Sequence, residues 1–174
     1  IALLLSIWIF FGFDSYYSCL QQCGRVGLTR KNGHGCICHS DTPSLNVFVE
    51  IAGPDSLAPG ESDTFMVAIF GGPDSSGGMN TAVRSGILHK IDTTLCEIDS
   101  ELTYAFPHPE PIDGVIYWHF LYTAPMATGW DTMYAVGNSV NLNGLPTGDQ
   151  WNFGENFPIK IGGAVSVNEP QQSP

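Results

Sequence analysis

The chain has 174 residues, the length of one ordinary domain, or one domain with tails. Seventeen acidic residues against six basic ones give a net charge of −11, which excludes nucleic acid or an anionic membrane surface as an electrostatic partner. A hydrophobic content of 43% can fill a core and excludes simple disorder. Only 13% of residues are charged, whereas Gly (20) and Pro (12) are plentiful, a mix suited to short strands and many turns. No apolar tract reaches the ~18 residues of a membrane-spanning helix.

Ile1–Phe13 is a run of large apolar residues interrupted only by Ser6 and Gly12. Its length matches the apolar region of a secretory signal, so residues 1–18 are read as an export signal. The alternative is a retained apolar strand or helix that docks on a neighbouring subunit. Residues 19–43 form a Cys/His-rich segment with Cys19, Cys23, Cys36 and Cys38, and with the bases Arg25, Arg30 and Lys31.

From Ser44 to Ile161 the pattern is that of strands. Leu45, Val47, Val49 and Ile51 alternate with Asn46, Phe48 and Glu50, a period of two. Residues 63–70 repeat the pattern after a turn at Ala58-Pro59-Gly60. Gly71–Gly78 reads as a loop, and Met79–Leu88 as one strand bent at Ser85-Gly86. Residues 102–106, 115–123, 132–140 and 158–161 complete about seven short strands. The expected fold is all-β: an antiparallel, immunoglobulin-like β-sandwich preceded by an irregular Cys/Gly-rich segment. Val47, Val49, Val67, Ile69, Ile116, Trp118, Phe120 and Tyr134 are the expected core. Residues 162–174 form a polar tail rich in Gln and Pro.

Several blocks together resemble the secreted bacterial family called choice-of-anchor V. They are Gly77–Val83, Gly86-Ile87-Leu88 and Glu101-Leu102-Thr103, then Trp118–Pro125, which is similar to that family's W-x-F-x-[WY]-T-A-P strand. Tyr134–Asn141 and Gly148–Phe153 resemble its last two blocks. Gly27-Leu28-Thr29 and Gly33–His39 resemble its glycine-rich approach and its Cys-x-Cys-His or Cys-x-x-Cys-His element. The resemblance covers residues 24–161 and implies an exported β-sandwich whose C-terminal anchor varies between members. It supplies an architecture and no activity. In the family a His often follows the Glu-Leu-Thr block, where this chain has Tyr104.

The densest chemical constellation is His34-Gly35-Cys36-Ile37-Cys38-His39. Covalent haem needs thiols that reach its vinyl groups and a histidine beside the second thiol. Cys38-His39 supplies that second half, although Cys36 stands one residue nearer than the common attachment spacing. On this reading haem c is held by Cys38 with Cys36, and His39 is the proximal iron ligand. Arg25, Arg30 and Lys31 are candidates for its propionates. His34, His89 and His108 are candidates for a second axial ligand, while His119 reads as a packed strand residue. With Cys36 and Cys38 so used, Cys19 or Cys23 is left to pair with Cys96.

Two other chemistries stay open: disulfides drawing on Cys19, Cys23 or Cys96, with no cofactor, and a zinc site from His34, Cys36, Cys38 and His39. Asn141-Leu142-Asn143-Gly144 with Asp149 is a candidate calcium loop, but its spacing favours a turn held by Asn and Gly. No Gly-x-Ser-x-Gly elbow, His-Glu-x-x-His or paired-carboxylate signature occurs, so an enzyme is not expected. The expected function is an exported or cell-surface β-sandwich that carries electrons to redox proteins or to copies of itself, as a homo-oligomer or filament. The alternative is a structural or adhesive surface module with disulfides in place of haem.

Overall fold

The computed structural model describes residues 23–31, 33–91, 93–106 and 112–162. The expectations for Ile1–Phe13, Cys19, His108 and the tail beyond Gly162 lie outside these residues. Among the described residues there are eleven strands and no helix: β1 (Val47–Ala52), β2 (Ser56–Leu57), β3 (Ser62–Gly71), β4 (Ser76–Val83), β5 (Ile87–Lys90), β6 (Leu95–Ile98), β7 (Glu101–Tyr104), β8 (Val115–Thr123), β9 (Gly129–Val140), β10 (Gln150–Phe153) and β11 (Phe157–Ile161). They form two sheets. One has the order β1-β3-β8-β5; the other runs β2-β11-β9-β4-β7-β6, with β10 also paired to β9. All pairings are antiparallel except β2 with β11. The architecture is the expected antiparallel β-sandwich.

Period-two alternation sets which side chains meet. On β3, Phe65, Val67 and Ile69 point inward and stand opposite Phe120, Trp118 and Ile116 of β8. Met79, Val83, Leu102, Met133, Ala135, Ile159 and Ile161 close the core from the other sheet. Seven of the eight expected core residues are buried here, the exception being Tyr134. Tyr134 is half-buried because the inward set of β9 is Asp131, Met133 and Ala135, one residue out of phase with it.

The strand count differs from about seven for two reasons. β2, β6 and β10 have two to four residues each and show no readable alternation. The expected 79–88 strand is also two strands in different sheets, since β4 pairs with β9 and β5 with β8. Leu45 precedes β1 and is 89% exposed, outside the alternation assigned to it. The expected Gly71–Gly78 loop ends early, because Gly77 and Gly78 belong to β4. A Cβ on Gly78 would stand 2.6 Å from the Tyr104 ring, so glycine is required by close packing within the strand.

The change of sheet between β4 and β5 is held by Asp131, which is fully buried. Its carboxylate accepts hydrogen bonds from Ser85 N (3.0 Å), Gly86 N (2.7 Å), Thr132 N (2.7 Å) and Tyr122 Oη (2.7 Å). Tyr122 lies on β8, so one carboxylate ties the two sheets together. Burial, and then the bond to Asp131, push the Tyr122 phenol well above its ordinary range. Asp131→Ala leaves the buried Tyr122 hydroxyl and three part-buried backbone N–H groups without their acceptor and should lower stability by about 3 kcal/mol. Urea unfolding followed by tryptophan fluorescence checks this; a midpoint unchanged from wild type would mean that the carboxylate is not a structural tie.

Candidate functional site

The outer face of β4 is covered, so every residue of that strand is buried. Its cover is the segment preceding β1, and polar contacts fix the position of that segment. Asn80 on β4 accepts a hydrogen bond from Leu28 N (2.9 Å) and donates to Glu101 Oε2 (2.9 Å) and Leu102 O (3.0 Å). Glu101 Oε2 also accepts from Gly27 N (2.8 Å). Next to this, Cys23 is disulfide-bonded to Cys96 of β6, with Cα atoms 5.9 Å apart across 73 residues of sequence. A bridge closing so long a loop contributes about 2–4 kcal/mol. The pairing expected of Cys19 or Cys23 with Cys96 therefore falls to Cys23.

Beyond this anchor the chain folds back on itself. Gly33 N and Gly35 N donate to Thr29 O and Leu28 O, each at 2.8 Å. Gly35 has φ +65°, and a Cβ there would lie 2.2 Å from the Trp151 ring, so the site needs glycine twice over. Trp151 also donates from Nε1 to Ser40 O at 2.7 Å, clamping the far side of the loop. Between these clamps His39 N donates to Cys36 O (3.0 Å), closing a turn that contains Cys36, Ile37, Cys38 and His39.

That turn borders a hollow of about 450 Å³, lined by both thiol residues, His39, His34, Arg25, Leu28, Tyr104 and parts of β4 and β9. Cys36 and Cys38 carry no disulfide; Cys38 is exposed and Cys36 half-buried. Burial, and secondly the neighbouring Cys38, push the Cys36 thiol up to about 12. Burial also raises the Tyr104 phenol, with Cys36 adding to the rise and Arg25 opposing it. His39 Nδ1 lies 2.8 Å from Asp149 Oδ2, and the other oxygen of Asp149 accepts from Asn141 N at 3.0 Å. Asp149 is buried, while the imidazole is 30% exposed. With Nδ1–H donated to the carboxylate, Nε2 is the ring nitrogen left to bind a metal.

The residues present fit a haem. Two thiols and an oriented imidazole edge one hollow, whose volume lies within the ordinary range of small-molecule sites. Asn138 also lines the hollow, although its Oδ1 is shut away inside the protein with no hydrogen-bond partner and does not open onto it. The zinc reading fares differently: among the described residues no three His, Cys, Asp or Glu side chains are placed to share a metal ion.

The other sequence candidates divide. Arg25 and His34 reach the hollow, and Lys31 lines a neighbouring depression that shares Arg25, Leu28 and His34. Arg30 is packed over the Phe153 ring at 5.2 Å and does not line the hollow. His89 lies 4.0 Å from Glu97 and is also outside it. His119 is exposed on the outer face of β8 beside Tyr117, a correction to its reading as a packed residue. The Asn141–Leu145 loop is the expected turn: Asn143 N donates to Asn141 Oδ1 (3.0 Å) and Leu145 N to Asn143 Oδ1 (2.7 Å). Asp149, which the sequence offered only as part of a candidate calcium loop, is the site residue whose role sequence reasoning missed. It lies 110 positions from His39, and no spacing rule links the two.

No protein-family model matches the chain, and no curated protein sequence matches it. Solved structures that are similar include the CARDB domain of the PF1109 protein from Pyrococcus furiosus, solved in complex with di-metal ions. It is 15% identical over 71% of this chain and 96% of that one, with a TM-score of 0.40. Native Escherichia coli alpha-2-macroglobulin is 18% identical over 70% of this chain but 7% of its own, with a TM-score of 0.41. Salmonella alpha-2-macroglobulin reacted with methylamine is 19% identical over 67% of this chain and 7% of its own, with a TM-score of 0.38. Likenesses at this level carry no inference about the chemistry of the hollow.

The environments of the two thiols differ enough to be measured. In protein prepared without haem, iodoacetamide at pH 8 should modify the exposed Cys38 first. Cys36 should react roughly a thousandfold more slowly than an ordinary thiol, because the thiolate is the nucleophile. Its rate should climb about tenfold per pH unit until the pH passes about 12. Equal labelling of both residues at pH 8, read by peptide mass spectrometry, would contradict the burial of Cys36.

Proposed function

We propose that this chain is an exported electron carrier, in which a β-sandwich resembling choice-of-anchor V presents a c-type haem at its N-terminal segment. The observation that carries the reading is the hydrogen bond from His39 to buried Asp149, made at a hollow bordered by both Cys36 and Cys38. It fixes the ring and its tautomer and leaves Nε2 for iron. Cys38, with Cys36, supplies the thiols. They would hold a haem through thioether bonds, whose formation from a thiol and a vinyl group needs no oxidant.

A haem bound there supplies one-electron redox chemistry. The protein's part is to hold the iron through His39 and to bring Arg25 to the same hollow as a cation for carboxylates. Of the histidines named as second axial ligands, His34 is the described one that reaches the hollow. The disulfide Cys23–Cys96 supports an oxidising, extracytoplasmic compartment. Among the described residues no helix is long and apolar enough to cross a membrane. Electrons then pass to redox partners or to neighbouring copies of the chain, with no small substrate transformed.

Intact mass and the visible spectrum of the exported protein test this together. The mass should include haem after denaturation, with a Soret band that Cys38→Ser abolishes or weakens and Cys36→Ser weakens. A colourless protein that differs from its sequence mass only by paired hydrogens would overturn the proposal. It would leave a structural or adhesive module held by disulfides.

A further inference from the structure

Resting on that reading, we infer that Asp149 is a positioning residue that sets a low reduction potential at the iron held by His39. Three features of the structure carry this. The acceptor facing His39 Nδ1 is a carboxylate at 2.8 Å, and charge-assisted hydrogen bonds of this kind are stronger than those to a neutral carbonyl. The carboxylate is itself held still: Oδ1 accepts from Asn141 N at 3.0 Å, and Asn141 is in turn bound through Nδ2 to Thr147 O at 3.0 Å. Asp149 is also buried, with a side chain 5% exposed, so water screens its charge little. A ring that donates to such an acceptor is a more basic ligand, and a basic ligand favours the more highly charged, ferric state. No other acid is hydrogen-bonded to His39 among the described residues.

The role predicted is that of a donor of electrons, reduced only by strong reductants. It distinguishes this site from one that holds its histidine through a backbone carbonyl, where the ferrous state is relatively better stabilised.

The test is a spectroelectrochemical titration of the exported, haem-loaded full chain. Asp149→Asn keeps the size of the side chain and removes the charge. At the wild-type midpoint it should raise the ferrous-to-ferric ratio roughly tenfold, which is 59 mV for a one-electron couple. Asp149→Glu should return the midpoint towards wild type, as a restored carboxylate requires. Asp41→Asn, which removes an exposed acid from the same loop, should change the ratio less than twofold. If Asp149→Asn is exported without haem, Asp149→Ser is read in its place, with the same upward shift expected. A loaded neutral variant with the wild-type midpoint overturns the inference and leaves the proposed function standing. An equal shift in Asp41→Asn also overturns it, since net charge alone would then account for the effect. Absence of haem from the wild type removes both.

Discussion

The candidate site depends on a buried polar bridge between two neighbouring strands. Asn80 and Glu101 face outward from β4 and β7, on the side away from the apolar core, and would be costly there without partners. They satisfy each other and also take the backbone N–H groups of Leu28 and Gly27. The irregular segment is thereby fixed to the sheet by its main chain, so its position does not depend on the side chains of its exposed residues. The Cys23–Cys96 bridge adds a covalent link to the adjacent strand β6. Everything downstream, from the Gly33 and Gly35 turns to the Cys36–His39 turn, inherits its position from this anchor.

The second half of the site comes from the other end of the chain. Trp151 on β10 packs against Gly35 and holds Ser40 O, and Asp149, just before β10, holds His39. β10 pairs only with the far part of β9, on the same edge as β11. A four-residue strand thus has a consequence out of proportion to its length. It carries the ring that shapes the loop, and the residue immediately before it supplies the carboxylate that orients the imidazole.

Much of the sandwich was legible because its central strands alternate cleanly. β8 shows inward Ile116, Trp118, Phe120 and Tyr122 without a break, and its expected bounds are those observed. β9 was harder, because Asp131 occupies an inward position and Tyr134 an outward one. A buried acid reads as a surface residue until its four donors are known. β6 and β10, of four residues each, show no readable alternation. Within the site, Cys36, Cys38 and His39 were visible because chemistry demands them close in sequence. Asp149 was not, since a carboxylate facing a ring nitrogen is a property of sheet pairing rather than of spacing. Arg30 shows the reverse error: its charge suggested a propionate partner, yet its position over Phe153 makes it part of the packing around Trp151.

Anomalous X-ray scattering at the iron edge, from crystals of the exported protein, addresses the proposed chemistry most directly. The expected result is one iron atom per chain bonded to His39 Nε2, with Asp149 hydrogen-bonded to the opposite nitrogen and Cys38 joined to the haem edge. Crystals without iron, in which Cys36 and Cys38 are free thiols or disulfide partners, would contradict it.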